Sequence, residues 1–263
     1  MSNITLFGFR TYDLFNYFVV YAFLGWCLET IYATINKKYF VNRGFLNGPF
    51  CPIYGFGALM LIVLLNPVKD DLFSLFIGSV ALTSVLEYFT GFILEQAFSS
   101  VWWDYTDKKF NIKGRICLEF SLIWGAASLV VIKIIHPYIN LLVSLMPFKI
   151  GIVLIYIIFS YFIFDLTISV ISVVGLNSRL KQIHFLHNEL KSKLIKLKGA
   201  TSERAVEIEF KLDELKNKYQ YLINKKVLNH SRILNAFPNL KSKRFNHILK
   251  DIKKSLEEKR HNI

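Results

Sequence analysis

Five carboxylates interrupt the apolar stretches of this 263-residue chain: Glu29, Glu87, Glu95, Glu119 and Asp165. A charged side chain at the centre of a bilayer costs about 3 kcal/mol or more, so an acid inside an apolar stretch is a candidate functional group. Such acids can line a polar cavity through which a solute or an ion passes. They can equally pair with cations and hold the helices together.

Two arginines lie in the short loops beside these stretches. Arg43 precedes the second apolar stretch, and Arg115 precedes the fourth in a loop that also holds Asp104 and Asn111. A guanidinium binds a carboxylate through two parallel hydrogen bonds, so each arginine is a natural partner for a nearby acid. The sequence therefore predicts either a polar cavity or an ion-pair network, built from the five acids, the two arginines, Asp104 and Asn111.

The stretch VNRGFLNGPFCPIYGFGA, from Val41 to Ala58, combines Arg43 with turn and packing residues. We predict that Pro49 and Pro52 lie in the opening turn of a helix, where a missing N–H costs little. Arg43 beside a helix N-terminus favours an anion site for a phosphate, a lipid head group or a carboxylate of the chain itself. The alternative is a packed turn from which Arg43 only reaches the interface. The residues assigned to packing and turns are Gly44, Gly48, Pro49, Pro52, Gly55 and Gly57.

The apolar composition identifies the elements that must position these side chains. Hydrophobic residues make up 53% of the chain, and roughly 20 consecutive apolar residues cross a bilayer. We predict an all-α fold in which residues 1–176 form a bundle of about five transmembrane helices. The segment between Pro137 and Pro147 is too short to cross, and we expect it at the outer surface or dipping inward. The predicted spans are Tyr12–Ile35, Phe50–Asn66, Leu72–Phe98, Ile116–Ile135 and Lys149–Leu176.

Residues 177–263 form a basic tail with helical periodicity. Apolar residues recur every three or four positions from Leu176 to Leu197 and again from Ala205 to Leu222, which is typical of a coiled-coil seam. Gly199 and Thr201 separate the two segments and predict an antiparallel hairpin. A third amphipathic helix follows Pro238, with Phe245, Ile248, Ile252 and Leu256 on its apolar face.

The distribution of charge predicts the orientation in the membrane. Residues 1–176 contain 11 Lys and Arg against 10 Asp and Glu, whereas residues 177–263 contain 21 against 9. Basic loops mark the cytoplasmic side, so we predict a cytoplasmic tail and an N-terminus outside. A basic tail beside anionic lipid accounts for the formal net charge of +13 without a nucleic-acid partner.

No metal site, cofactor or catalytic apparatus is predicted. Cys27, Cys51 and Cys117 are scattered, and no Cys or His spacing is typical of zinc. No nucleophile and base stand at a recognisable spacing. We therefore expect no metal, no cofactor and no enzymatic activity.

Several longer motifs resemble one bacterial family, the CmpB-like ABC-transporter permeases of type IV. The motifs are GWCLETIY, the stretch from Val41 to Ala58, EYFTGFILE, WWDYTDKKFNIKGRICLEFSLIWG and RILNAFPNLKS. The resemblance covers most of the membrane domain and reaches into the tail. It implies a multi-pass protein of the bacterial plasma membrane that serves as the permease subunit of an ABC-type transporter.

The chain contains no G-x-x-x-x-G-K-[ST] motif, the phosphate-binding loop of ATPases. A transporter of this class therefore requires a separate P-loop ATPase, and five spans are few for a permease, which favours a homodimer. Two other functions fit the same residues. One is a membrane scaffold or regulator whose coiled-coil tail recruits partners. The other is a membrane-embedded enzyme acting on a lipid or a peptide, with Asp104 or Glu95 as acid or base.

Overall fold

The chain is almost entirely helical, which confirms the predicted all-α fold. A computed structural model describes residues 5–197, 202–225 and 228–261. Three short antiparallel strand pairs join the helices within this described part. In the membrane domain the helices are α1 (Thr11–Lys37), α2 (Pro52–Leu64), α3 (Leu72–Phe98), α4 (Leu118–Val130), α5 (His136–Leu145) and α6 (Phe148–Leu197), and the strands are β1 (Thr5–Leu6), β2 (Phe9–Arg10), β3 (Ser100–Val101), β4 (Asn111–Ile112) and β5 (Ile116–Cys117).

Four helical segments are long and apolar enough to cross a membrane: Thr11–Lys37, Leu72–Phe98, Leu118–Leu145 and Phe148–Leu197. Helix α2 is also apolar, but its 13 residues rise only about 20 Å, less than the roughly 30 Å of a hydrocarbon core. Its first residue is Pro52, as expected for proline at a helix start. The prediction that Pro49 also lies in the opening turn is wrong, because the helix begins three residues later.

The sequence predicted that the segment after Pro137 lies at the outer surface or dips inward. The structure instead makes it a continuation of the fourth membrane helix. Helix α4 continues through a π-helical turn, Val131–Ile135, directly into α5. In this turn the N–H of His136 donates to the carbonyl of Val131, five residues earlier. This turn lies directly before Pro137, and the proline, which has no N–H to donate, does not end the helix. The fourth span therefore extends to Leu145.

Small residues let the membrane helices approach closely. A Cβ added at Gly55 would lie 2.7 Å from the backbone oxygen of Phe18, so α1 and α2 nearly touch there. At Gly125 the added atom would lie 2.4 Å from a side-chain carbon of Val80, between α3 and α4. Close approach of this kind is how helices gain packing energy where lipid supplies no hydrophobic drive.

The alternation of helices places two loops at one end of the bundle. Residues 38–51 follow the end of α1, and residues 99–117 follow the end of α3. Helix α6 leaves the bundle at the same end and continues to Leu197. We call this end, formed by loops 38–51 and 99–117, the tail face. The β1–β2 hairpin lies at the opposite end of α1.

The tail folds back onto α6 and then onto the tail face. Helix α7 packs antiparallel to α6, since Arg179 donates to the carbonyl of Leu222 (2.6 Å) and the rings of His187 and Tyr219 lie 6.2 Å apart. The predicted hairpin turn at Gly199 and Thr201 lies outside the described residues, and the coiled-coil assignment stays a prediction. The remaining elements are α7 (Ser202–Asn224), α8 (Leu228–Ala236), β6 (Lys241–Ser242) and α9 (Asn246–His261).

The tail and the membrane domain share one hydrophobic core. Strand β6 pairs with β3, with Ser100 opposite Ser242. Trp102 and Phe98 from the tail face pack in the same buried cluster as residues of α6, α8 and α9. The predicted apolar face of the third tail helix is confirmed, since Ile248 and Ile252 are fully buried. Helix α6 runs unbroken through residue 176, where the sequence places the boundary between membrane domain and tail.

Candidate functional site

Arg43 binds a carboxylate of the chain itself, one of the three anions that the sequence allowed. Its guanidinium lies 3.2 Å from the Oε2 atom of Glu29, near the end of α1. The other oxygen of Glu29 accepts from the hydroxyl of Tyr54 at 2.6 Å. Arg43 also donates to the carbonyl of Ala236 in the tail. This arginine therefore joins α1, the loop 38–51 and the tail.

The loop around Arg43 is shaped by amide side chains. Trp26 donates from Nε1 to Asn42 at 2.7 Å, and Asn42 donates to the carbonyl of Asn47 at 2.6 Å. Gly44 lies between them with φ +107°, a conformation that a residue with a Cβ rarely adopts. The result is a tight turn whose carbonyls point toward the tail.

Asp165 fixes the far end of this loop. Its carboxylate is buried in α6 and accepts from the backbone N–H groups of Asn47 (2.9 Å) and Gly48 (2.7 Å), and from the side-chain amide of Asn47. Backbone donors of this kind stabilise an ionised carboxylate. A Cβ at Gly48 would lie 1.7 Å from the hydroxyl oxygen of Tyr161 and 3.0 Å from Asp165, so a larger residue here would have to displace the Tyr161 side chain.

Arg232, on α8, is a site residue that the sequence analysis missed. It donates to three successive carbonyls of the loop, those of Gly44 (3.1 Å), Phe45 (2.9 Å) and Leu46 (2.9 Å). Burial lowers the pKa of the Arg232 guanidinium, and the charge of Asp165 opposes that effect. The motif RILNAFPNLKS contains this arginine, but its partners lie about 190 residues earlier in the chain.

The second group of ionised side chains is built around Glu95, at the end of α3. Arg115 donates to Glu95 from Nε at 2.8 Å, and the ammonium of Lys243 lies 2.5 Å from the other carboxylate oxygen. The hydrogen bond to Glu95 raises the pKa of Arg115. The guanidinium also lies over the rings of Tyr88 and Phe92, at 5.1 and 5.3 Å. This group joins α3, the loop 99–117 and the tail.

Asp104 and Asn111 have different roles within the loop 99–117. Asp104 lies 2.6 Å from the ammonium of Lys241, and this hydrogen bond holds the pKa of Asp104 below its ordinary value. Asn111 donates to the carbonyl of Lys108 at 2.8 Å and accepts from the N–H of Gly114. Asn111 therefore shapes the loop, whereas Asp104 ties it to the tail.

The two remaining acids are Glu119 and Glu87. Glu119 is exposed and pairs with Lys108 at 2.9 Å. Glu87 accepts from the hydroxyl of Tyr105 at 3.0 Å, and that ring stacks on Phe120. The second carboxylate oxygen of Glu87 is buried and has no hydrogen-bond partner among the described residues.

The predicted residues therefore separate into groups. Glu29 and Arg43 form one pair, Glu95 and Arg115 form another, and Asp165 binds backbone N–H groups rather than a cation. Gly57 packs against Leu86 of α3, at 3.2 Å from where its Cβ would lie. None of these acids lines the groove of about 770 Å³ between α6 and α7. Within the described ranges, His, Cys, Asp and Glu form no group of three that could hold a metal ion.

Comparison with known proteins identifies one family. The family described as "putative ABC-transporter type IV" matches residues 16–170, which is more than half of the chain. No curated protein and no solved structure matches this chain. The matched segment contains all five membrane acids, Arg43 and Arg115, whereas Arg232 and the tail lysines lie beyond it. This membrane protein belongs to the putative ABC-transporter type IV family.

Proposed function

We propose that the protein is the permease subunit of an ABC-type transporter in a bacterial plasma membrane. The proposal is based on the family match over residues 16–170. The matched residues include most of the apolar helices α1 to α5 and most of the apolar part of α6. Because the printed sequence contains no P-loop motif, the proposal places ATP hydrolysis on a separate subunit. We further propose a homodimer, since one copy supplies few helices for a path.

The proposed orientation has the tail face in the cytoplasm and the β1–β2 hairpin outside. Loops 38–51 and 99–117 carry Arg43, Arg115 and further lysines, and the tail adds most of the net positive charge. Cytoplasmic segments next to spans are enriched in Lys and Arg. In this orientation the tail face and the tail are the surfaces available to a cytoplasmic ATPase.

Co-purification tests the proposal directly. The native protein is extracted into nanodiscs from its own membrane, proteins present in stoichiometric amount are identified, and ATP hydrolysis is measured. We expect a P-loop ATPase whose hydrolysis falls when this subunit is removed. The matched control replaces the P-loop lysine of that ATPase with alanine, which should abolish hydrolysis and leave the complex intact. A homogeneous oligomer of this chain without any ATPase would contradict the proposal.

A second candidate is a membrane scaffold or regulator. It is favoured by one observation, the engagement of Glu29, Glu95 and Asp104 in ion pairs that hold the loops and the tail together. In that case Glu95→Gln should lower stability without a separate effect on activity, and removal of residues 202–263 should abolish function. We assign no catalytic role to Glu95 or Asp104, because each carboxylate is held by a tail lysine.

A further inference from the structure

Among the five acids of the apolar stretches, Glu87 is the one with neither a charged partner nor a backbone N–H donor in the described structure. Glu29 and Glu95 each bind an arginine, and Asp165 accepts two backbone N–H groups. Glu87 accepts only from the phenol hydroxyl of Tyr105. Its Oε2 atom is buried within the bundle, and no described side chain donates to it.

The surroundings of Glu87 offer no compensation for a negative charge. Arg115 packs one turn further along α3, against Gly91, but donates to Glu95 and Tyr88. On the side of α4, Ser84 and Ser121 bind each other at 2.7 Å and are neutral.

The hydroxyl of Tyr105 brings no positive charge to Glu87. Burial first, and then the neighbouring Glu87, raise the pKa of Tyr105. The phenol is therefore a neutral hydrogen-bond donor to the carboxylate and not a counter-ion.

We propose that Glu87 is a proton-binding site of the membrane domain. Its carboxylate takes up one proton from a hydronium ion on one oxygen and becomes a neutral acid that still accepts from Tyr105; an O–H bond of the hydronium breaks and a water molecule is released. No other bond changes, and the charge at this position goes from −1 to 0. An uncompensated carboxylate in an apolar interior is costly, and protonation removes that cost. Glu29 and Glu95 are bound by arginines and Asp165 by backbone N–H groups, whereas Glu87 has an oxygen without a donor that can hold the proton.

This site goes beyond the proposed permease function and does not depend on it. Proton binding at Glu87 requires neither an ATPase nor a second copy of the chain. If the ATPase complex is absent and Glu87 still binds a proton, only the permease proposal fails. If the complex is present and Glu87 binds no proton, only the present inference fails.

Labelling with dicyclohexylcarbodiimide tests the inference, because this apolar reagent reacts with protonated carboxyl groups. The full chain in nanodiscs is treated over a range of pH, and the adduct is located by peptide mass spectrometry. We expect labelling at Glu87, with a loss of about tenfold per pH unit above the midpoint. Glu29, Glu95 and Asp165 should remain unlabelled. Glu87→Gln should remove the adduct, and Glu119→Gln, at an exposed acid, should leave it unchanged.

Infrared spectroscopy gives an independent measurement on folded protein. The C=O band of a protonated carboxyl should be present in the wild-type protein, absent in Glu87→Gln and shifted in frequency in Tyr105→Phe. Glutamine matches the shape of the neutral acid, so Glu87→Gln should keep the wild-type unfolding temperature. Absence of both label and band at Glu87 would overturn the inference.

Discussion

At the scale of single residues, Arg232 and Arg43 both join the loop 38–51 to α8, one from each element. Arg232 reaches up from α8 to three loop carbonyls, and Arg43 reaches from the loop to a carbonyl of α8. Only the planar fork of a guanidinium presents several donors at fixed angles. The sequence identified Arg43 as a site residue because it stands beside an apolar stretch. Arg232 stands in a charged tail, where nothing local distinguishes it from other basic residues.

Replacement of Arg232 by alanine should detach α8 from the tail face. The change leaves three loop carbonyls without their donor, and we expect a loss of about 2–4 kcal/mol. The measurement is the apparent unfolding temperature in nanodiscs together with the rate of proteolytic cleavage in residues 228–261. Arg244→Ala is the matched control. Because Arg244 is exposed, its replacement should change neither the unfolding temperature nor the cleavage rate. Equal behaviour of the two variants would contradict the assigned role.

The pair of Asp104 and Lys241 should give a pH-dependent contribution. The folded-state pKa of Asp104 is lowered by its hydrogen bond to Lys241, so the pair stabilises the fold above the ordinary pKa of about 3.9. That stability is lost as the pH falls through the lowered value.

Asp104→Asn should therefore lower the unfolding temperature slightly at pH 7, and the difference from wild type should shrink as the pH falls below about 3.9 toward the lowered pKa of Asp104. Lys241 is half exposed, so the loss should be at most about 1 kcal/mol and smaller in high salt. Unfolding of wild type and variant is followed side by side from pH 7 to pH 3. If the difference in unfolding temperature between wild type and variant grew on acidification, the stabilising role assigned to the Asp104–Lys241 pair would be contradicted.

At the scale of elements, the helices were predictable and their ends were less so. Long apolar runs identified α1, α3 and α6, because bilayer thickness sets a minimum length. Two predictions were wrong, the start of α2 and the end of the fourth span. Both assumed that a proline marks a helix boundary. Pro49 lies in a loop before α2, and Pro137 lies inside a continuous helix that accommodates it through a π-helical turn. Such a turn depends on backbone geometry that residue types do not encode locally.

The contact between the loop 38–51 and α6 depends on the absence of a side chain at Gly48. A methyl group there would collide with Tyr161 and approach Asp165 to 3.0 Å. Gly48→Ala should therefore destabilise the protein by about 1–3 kcal/mol, the usual cost of overpacking. Gly57→Ala is the control, because its Cβ would meet only the flexible end of Leu86 at 3.2 Å. The measurement is the unfolding temperature of both variants and the wild type in nanodiscs. A destabilised Gly57→Ala with an unaffected Gly48→Ala would contradict this packing.

At the scale of the whole molecule, the tail and the membrane domain form a continuous structure through the tail face. The sequence predicted the continuation of α6, the helix α7 and the buried face of α9, but it missed α8, the helix that carries Arg232. It did not predict where they dock, because β3 and β6 are separated by about 140 residues and two-residue strands have no sequence pattern. The ion pairs show the same limit: each acid was identified by its apolar surroundings, but its partner was fixed only by the fold.

Cysteine cross-linking in native membranes tests whether the tail docks on the membrane domain. Ser100→Cys and Ser242→Cys are introduced into a chain whose three natural cysteines are replaced, because these positions face each other across β3 and β6. We expect a rapid cross-link within one chain, and none when Ser100→Cys is combined with Ser192→Cys on the exposed end of α6. Failure of the first pair to cross-link, or cross-links formed only between two chains, would contradict this docking.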